Sequence, residues 1–385
     1  MKVVDLHCDT ILEIWNSELK GDRLALRDTE NSTHPLHIDL KKLKEGDYLL
    51  QNFALFVDLH MPSEHGKPNH SSISWKTPGA AATKKEAADS WVDPWLQVTE
   101  MIRVFREEMA ANADLIRQVF TWDDIVENQR NGLISALLTT EEGGILQGKL
   151  DRLDTLYQTG VRMMTITWNY DNELGHPNPL PHRHIDEFLD SSTDKTANTG
   201  EEPFDWFFTF KPSDGNGLTS FGKQAVARME ELHILPDVSH LSDAGFFDVA
   251  DIVKGPFVAS HSNARALCGC RRNLTDDMIR TISAHGGVAG LNFCPSFVME
   301  ASRESLCYSS CEALCRHARH LMDVGGREVV ALGTDFDGIA PENLEIENAS
   351  QIHKLADYMS CHGFSTEEIE GIFFKNALRV YREVL

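Results

Sequence analysis

The sequence lacks the features that mark several classes of protein. Eight cysteines among 385 residues are too few for a disulfide scaffold, so we expect free thiols in a reducing compartment. No apolar run reaches the length of a membrane span, and residues 1–20 lack the basic start and unbroken apolar core of a secretory signal. The C-terminal residues carry no lipid-anchor motif. These absences predict a cytoplasmic protein with no membrane partner.

Positive charge is also scarce. The chain has 36 Lys and Arg against 59 Asp and Glu, and its formal net charge is -23. A surface of that sign repels nucleic-acid phosphates, so we do not expect nucleic acid as a partner. No Gly-x-Gly-x-x-Gly motif follows the first apolar run, so a dinucleotide site has no support. The sequence leaves a homodimer open.

Short apolar runs rich in β-branched residues alternate with longer segments of helical periodicity. This alternation is typical of β–α units around a parallel sheet. Eight units favour a closed (β/α)8 TIM-type barrel, an α/β fold, over an open doubly wound sheet. The predicted strands are Val3–Cys8, Phe53–Leu59, Leu133–Thr139, Met163–Thr167, Leu235–Ser239, Phe257–Ser260, Val288–Phe293 and Val329–Gly333. Predicted helices between them include Pro94–Asn112 and Gly222–Leu232.

Two stretches interrupt this alternation, at residues 60–92 and 171–218. The first is rich in His, Ser, Pro, Lys and Ala, and the second contains Pro177, Pro179 and Pro181 and an aromatic cluster. Long loops of this kind are usually functional lids or disordered segments. Both follow predicted strands, so we expect them to rise from the C-terminal face of the barrel. We predict a single domain over residues 1–385 that carries these two insertions.

The first strand ends in His7-Cys8-Asp9. Side chains two residues apart in a strand point to the same face, so His7 and Asp9 can bind one metal ion. Imidazole and carboxylate donors suit zinc, manganese or iron(II). The alternative for this pair by itself is a strand that ends in a polar turn.

Four further strands end in imidazole or carboxylate side chains. Glu141 and Glu142 follow the third strand, His240 the fifth, His261 the sixth and Asp335 the eighth. Three neutral imidazoles and two or three carboxylates are enough to hold two divalent metals bridged by one carboxylate. Metals about 3.5 Å apart would turn a water between them into hydroxide near neutral pH, while one metal polarises a scissile carbonyl.

Six motifs along the chain occur in a familiar order. They are His7-x-Asp9, Glu142-Gly-Gly, Ser239-His240-Leu241-Ser242, Ser260-His261-Ser262, Arg271-Arg272-Asn273 and Gly333-Thr334-Asp335-Phe336-Asp337-Gly338. In these motifs the chain resembles the membrane dipeptidase (renal dipeptidase) family of zinc peptidases, a branch of the amidohydrolase-like metal-dependent hydrolases. The resemblance implies a metallo-dipeptidase with a β/α-barrel fold. Its substrates would be dipeptides with a free C-terminal carboxylate, hydrolysed through a hydroxide that bridges two zinc ions.

The resemblance also implies roles for individual residues. In the family's pattern, one zinc is bound by His7 and Asp9, the other by His240 and His261, Glu142 bridges them, Asp335 is the acid/base and Arg272 holds the substrate's carboxylate. Glu141 competes with Glu142 for the bridge. Neighbours on a strand face opposite ways, and the Glu-Gly-Gly match selects Glu142.

The sequence departs from the family at two predicted substrate contacts. Where mammalian members place a substrate-contacting His after the fourth strand, this chain has Trp168 followed by Asn169. The Trp168 ring offers one donor and cannot become cationic, which weakens its help to an oxyanion, and Asn169 is a neutral substitute. After the seventh strand, Cys294 stands where a tyrosine is often found. We expect all three residues near the substrate.

Two alternatives remain open at this stage. One is a related barrel hydrolase that acts on a non-peptide amide or a lactone. The other is a metal-binding protein without turnover, which would have no use for Arg272 or Asp335. Arg272 has an alternative of its own, as a solvated surface residue in the basic pair with Arg271.

Overall fold

In the computed structural model, residues 1–20, 24–27, 35–59, 93–178, 216–300 and 307–385 are described, and they form a parallel β-barrel with surrounding helices. The strands are β1 Val3–Asp5, β2 Tyr48–Phe56, β3 Ile116–Gln118, β4 Ile134–Glu141, β5 Val161–Thr165, β6 Leu235–Asp237, β7 Val258–Ala259, β8 Val288–Leu291 and β9 Val330–Leu332. Eight of them follow each other in the order β2-β1-β9-β8-β7-β6-β5-β4, and pairing of β4 with β2 closes the barrel. The short strand β3 pairs with the first residues of β4.

Helices connect these strands over the outside of the barrel. The α-helices are α1 Thr10–Lys20, α2 Leu40–Glu45, α3 Pro94–Ala111, α4 Trp122–Arg130, α5 Asp151–Thr159, α6 Ser220–Glu231, α7 Asp243–Ile252, α8 Asp276–Ala284, α9 Pro295–Val298, α10 Cys311–Gly325, α11 His353–Cys361, α12 Thr366–Glu370 and α13 Asn376–Val384. Short 3₁₀ turns lie at Gly143–Leu146 and Ala349–Gln351, and a π-helical turn at Gly371–Lys375 precedes α13.

Local sequence explains where the helices begin and which face they bury. The Ser310 hydroxyl accepts a hydrogen bond from the Ala313 N–H and so caps α10, whose residues Leu314, Ala318 and Leu321 are buried. Residues spaced by three or four positions lie on one face of a helix, which is the face that covers the sheet. Capping and spacing together predict this kind of helix from the sequence.

The N-terminal end of the barrel is filled with apolar side chains. At least one residue from each of the eight barrel strands belongs to a cluster there that also includes residues of α13. The strand residues include Val4, Leu50, Leu137, Met163, Leu235, Val258, Val288 and Ala331, and the helix residues include Ala377, Val380 and Tyr381. The buried Tyr381 hydroxyl donates to Asn52 Oδ1 at 2.9 Å. Helix α13 therefore closes this end of the barrel.

The predicted eight-stranded barrel is confirmed, and each predicted strand overlaps a barrel strand. The second strand begins earlier than predicted because it includes the polar residues Gln51 and Asn52. Both are buried but hydrogen-bonded, since Asn52 Nδ2 donates to the Leu6 carbonyl at 2.9 Å and Gln51 Nε2 donates to Asp5 at 3.2 Å. Strand β3 was not predicted, because a three-residue strand gives too short a pattern to recognise.

The two predicted insertions fall largely outside the described residues. The first, 60–92, lies outside them entirely, as do residues 179–215 of the second. The described ends of the second meet beside β6, where His176 Nδ1 lies 2.9 Å from the Gly217 carbonyl and the Asn178 N–H donates to the His240 carbonyl. Across the described parts of the chain, no helix combines the length and apolar character that a membrane crossing requires.

Candidate metal centre

The carboxyl ends of five strands bring imidazole and carboxylate groups together. Three overlapping sets of donor atoms occur among the described residues, and within each set all the atoms lie within 4.8 Å of one another. The sets are His7, Asp9 and Glu141; Glu141, His240 and His261; and His7, His261 and Asp335. The first two sets share Glu141, which is the arrangement that a pair of metal ions with one bridging carboxylate requires.

Glu141, not Glu142, lies among the imidazoles. Its Oε1 is 3.1 Å from His240 Nε2 and 3.5 Å from His261 Nε2, and its Oε2 is 3.5 Å from His7 Nε2. Each carboxylate oxygen therefore faces a different part of the centre. The alternation of β4 carries Glu141 inward, since Leu137, four residues earlier, packs inside the barrel.

Glu142, which was predicted to bridge the metals, lies outside the three donor sets in the structure. Glu142 Oε1 accepts from the Gly144 N–H at 2.6 Å, and its Oε2 accepts from the Trp168 N–H at 2.9 Å. Asn172 Nδ2 also donates to this carboxylate. Glu142 adopts φ 102°, outside the strand region, because it begins the turn after β4. Its carboxylate holds the loop after β5 and takes no part in the donor sets.

Two imidazoles are held by hydrogen bonds to their Nδ1 atoms. His240 Nδ1 lies 2.8 Å from Asn169 Oδ1, and His261 Nδ1 lies 2.7 Å from Ser260 Oγ. The two Nε2 atoms lie 3.0 Å apart and both face Glu141. Asn169, which was predicted to contact substrate, contacts a candidate metal ligand. An acceptor at Nδ1 leaves Nε2 available to a metal.

The donor atoms fit a metal ion by their burial as well as their spacing. His7 Nε2 and Asp9 Oδ1 are buried, and neither finds a hydrogen-bond partner within the described portion of the chain. Buried polar atoms without a partner cost free energy, so such atoms usually have an unseen ligand or a functional role. Nitrogen and oxygen donors in sets of three are the chemistry of divalent zinc and related ions.

Burial shifts the pKa values of the centre strongly. It raises the pKa of Asp9 to about 6 and that of Asp335 to about 7, and it lowers the pKa of His240 to about 4. Burial also lowers the pKa of His7, but the carboxylates of Glu141 and Asp9 outweigh it and raise that pKa well above its usual value. The carboxylates are poorly solvated here, so their ionised forms cost free energy. Bound divalent cations would offset that free-energy cost.

Asp335 is positioned by a residue that the sequence analysis did not select. Asn292 Nδ2 donates to Asp335 Oδ2 at 3.0 Å, and Asp335 Oδ1 lies 4.0 Å from His7 Nε2. Gly338 leaves room for this arrangement, since a Cβ there would lie 2.6 Å from Asp335 Oδ1 and 2.2 Å from Asp9 Oδ2. The polar Asn292 just after an apolar strand was the available signal.

Arg272 is buried, which excludes a solvated surface role. It is 2% exposed, its guanidinium donates to Ser262 Oγ at 3.2 Å and to the His261 carbonyl at 3.3 Å, and it lies 5.2 Å from the Phe297 ring. Its Nε has no partner among the described residues. The neighbouring Arg271 is only partly buried. Arg272 therefore places a cation beside the metal centre.

Trp168 and Cys294 lie at the edges of the site. The half-buried Trp168 ring packs edge-on against Phe56, with ring centroids 4.7 Å apart, and its centroid is 6.2 Å from that of His240. Cys294 Sγ lies 3.3 Å from Ser296 Oγ, and burial raises the pKa of this thiol to about 12. Cys294 is thus a neutral thiol, and contact of either residue with substrate stays a prediction.

Comparison with known proteins places the chain in a family. A family model described as membrane dipeptidase, peptidase family M19, matches residues 1–385. An uncharacterised dipeptidase of Schizosaccharomyces pombe is 27% identical over 385 residues, which cover 99% of this chain and 80% of that protein. These matches confirm the resemblance seen in the six sequence motifs.

Solved structures agree with this placement. The dipeptidase AC, a metallopeptidase of family M19, is 26% identical, with a TM-score of 0.77 over 100% of this chain and 98% of that one. A metallopeptidase of Rhodobacter sphaeroides, solved with a phosphinate mimic of L-Ala-D-Ala, shares the fold at 24% identity, with a TM-score of 0.77 over 100% and 99% of the two chains. The chain therefore belongs to the membrane dipeptidase family, peptidase family M19, and is a metallo-dipeptidase.

Proposed function

We propose that this metallo-dipeptidase holds two zinc ions and hydrolyses dipeptides that have a free C-terminal carboxylate. The observation that carries the proposal is the position of Glu141 between two sets of donors, one oxygen toward His7 and the other toward His240 and His261. A carboxylate in this position can bridge two cations, whereas a single ion would need only one of the two sets.

The chain offers separate donors for each ion. One ion would be held by His7, Asp9 and Glu141, and the other by Glu141, His240 and His261. When bound, the ions would supply an activated water and polarise the scissile carbonyl. Manganese and iron(II) accept the same donor types, so zinc is proposed from the family and the donor chemistry together.

Asp335 would move the proton during hydrolysis. Its Oδ2 is held by Asn292, so Oδ1 is the atom left to face the reacting groups. Burial raises the pKa of Asp335 to about 7, the range in which a carboxylate both accepts and returns a proton. Asp335 would take a proton from the attacking water at Oδ1 and pass it to the nitrogen of the leaving amine.

Arg272 would recognise the free carboxylate of the substrate. Within the described residues, no carboxylate lies within ion-pair distance of its guanidinium, which contacts two neutral oxygens and the Phe297 ring. A buried cation without a counter-ion is costly, and a substrate carboxylate would pair with it through two directional hydrogen bonds. A longer peptide presents an amide at this position, which leaves the cation unpaired.

The test compares a dipeptide with its C-terminal amide on three proteins, after the metal content of each has been measured. Wild type should prefer the free acid by about a hundredfold in kcat/KM, the scale of losing one charged hydrogen-bonded contact. Arg272→Ala should lose this preference, and Arg271→Ala, the matched control, should keep it. Equal preference for acid and amide in wild type would contradict the proposal, as would fewer than two equivalents of metal.

The broader assignments follow from the same proposal. A dipeptide is the small-molecule substrate, and hydrolysis of a lactone or a non-peptide amide without dipeptide turnover would favour a related barrel hydrolase. The cytoplasmic location, the homodimer and the lack of nucleic-acid and membrane partners stay predictions from the sequence.

A further inference from the structure

Asp237, a fully buried carboxylate at the end of β6, lies outside the donor sets and makes four hydrogen bonds. Its Oδ1 accepts from the backbone N–H groups of Ser239 at 3.0 Å and Ser260 at 2.8 Å. Its Oδ2 accepts from the hydroxyls of Ser260 at 2.6 Å and Thr165 at 2.7 Å. Each oxygen of the Asp237 carboxylate therefore accepts two hydrogen bonds.

Asp5 makes the same pattern at the end of β1. Its Oδ1 accepts from the N–H groups of His7 at 3.4 Å and Thr334 at 2.9 Å, and its Oδ2 accepts from the Thr334 hydroxyl at 2.7 Å and Gln51 Nε2 at 3.2 Å. Each aspartate therefore ties the end of its own strand to the end of the neighbouring strand. The same hydrogen-bonded bridge from an aspartate to the neighbouring strand therefore occurs at two places on the barrel rim.

The two aspartate bridges differ in the next group to which the bridging hydroxyl is hydrogen-bonded. The Ser260 hydroxyl is also 2.7 Å from His261 Nδ1, whereas the Thr334 hydroxyl accepts from the Phe336 N–H. The Ser260 hydroxyl has one proton, which it donates in the hydrogen bond to Asp237 Oδ2. The Ser260 oxygen must then accept a proton from His261, so Nδ1 of His261 carries the hydrogen and Nε2 is bare.

We infer that Ser260 and Asp237 are positioning residues for His261, which they hold in the tautomer whose Nε2 faces the metal centre. The inference rests on the proposed function, in which His261 is a metal ligand. Neither residue belongs to any of the three donor sets. Outer hydrogen-bond partners of this kind fix the orientation of a ligating imidazole, and their loss typically lowers metal affinity by about 10- to 100-fold.

The chain supplies a matched control. Ser260→Ala removes the hydroxyl that joins Asp237 to His261, and Thr165→Val removes a hydroxyl from the same Asp237 oxygen but leaves the link to His261 intact. Both residues are buried, but Thr165→Val deletes one hydrogen bond, whereas Ser260→Ala deletes the bonds to Asp237 and to His261, so Ser260→Ala should lower Tm more. Only Ser260→Ala should lower zinc affinity, by about 10- to 100-fold in competition with a chromogenic chelator.

A second measurement does not depend on the variants folding. In metal-free wild type, imidazole 15N spectra should show His261 with its proton on Nδ1, and a proton on Nε2 would overturn the inference. Unchanged zinc affinity in Ser260→Ala, or an equal loss in Thr165→Val, would overturn it as well. Zinc binding without dipeptide hydrolysis in wild type would instead count against the proposed function alone.

Discussion

Replacing Glu141 by Gln should remove the bound metal and leave the barrel folded. The Glu141 carboxylate lies within 3.5 Å of three imidazole Nε2 atoms and is the member that the two principal donor sets share. A neutral amide keeps the size of the side chain but bridges cations poorly, because only one of its two polar atoms can act as a ligand. Both ions would lose a ligand from one substitution.

The expected loss of metal affinity follows from the position of Glu141 between the two donor sets. Loss of an outer partner of a ligand lowers metal affinity by about 10- to 100-fold, so loss of a shared ligand should cost at least the upper end of this range. A hundredfold loss is about 2.8 kcal/mol of binding free energy for each ion, since each tenfold is about 1.4 kcal/mol. Activity should fall with the metal content.

Glu142→Gln is the matched control, since it makes the same chemical change in the adjacent residue. The Glu142 carboxylate accepts from the N–H groups of Gly144 and Trp168, so an amide there loses an acceptor and puts a donor against a donor. We expect a loss of about 1–3 kcal/mol in the free energy of unfolding, with the metal retained. The loop after β5 should loosen, and the donor sets should remain.

The assay loads both variants and wild type with zinc, removes free metal by gel filtration, and measures metal content by mass spectrometry. Circular dichroism and thermal unfolding of the metal-free proteins check that each is folded. Retention of two equivalents of zinc by Glu141→Gln, with loss from Glu142→Gln, would refute the reasoning and restore the choice made from the sequence motif.

Two further predictions concern proton transfer and pH. Asp335→Asn should keep its metal and lower kcat by about 10² or more, which is the usual scale of acid/base contributions. Steady-state assays at matched metal content measure this loss, and full activity would show that another group moves the proton. His317 is buried as a neutral imidazole between the Ala264 N–H and the Val298 carbonyl, and burial lowers its pKa to about 4. The unfolded state therefore binds more protons between pH 6.5 and 4, so stability falls as the pH falls through this window, by about 2 kcal/mol at pH 5. Urea unfolding of the metal-free proteins at pH 7 and pH 5 should show a smaller loss in His317→Gln than in wild type, and equal losses would contradict the assignment.

The sequence determined the barrel and the identity of most of the residues at its rim. Apolar runs separated by helical segments have a periodicity that is local, so they predict eight strands without knowledge of the fold. Parallel strands all end at one rim, so the groups after them, such as His7, His240 and Asp335, were expected to meet. Strand β3 and the start of β2 were missed, because short or partly polar strands give weak patterns, and β4 and β5 also extend two residues beyond one of their predicted bounds.

The tertiary structure decided which way side chains point once the chain leaves a strand. Alternation holds inside β4 and ends with Glu141. Beyond the strands, Glu142, His240 and Asp335 adopt φ values of 102°, 70° and 64°. Such conformations are uncommon for residues other than glycine, so the surrounding structure has to hold them in place, and nothing in the local sequence predicts them.

The tertiary structure also decided which polar residues support others. Arg272 is next to Arg271 in the sequence, yet only Arg272 is fully buried. Asn169 and Ser260 each hold the Nδ1 atom of an imidazole, and Asn169 does so from a position 71 residues away along the chain. A short motif names the residue types, but hydrogen bonds between distant strand ends exist only when the barrel closes. The sequence therefore predicted the types of residue in the metal centre, and the fold determined the hydrogen-bond partner of each of them.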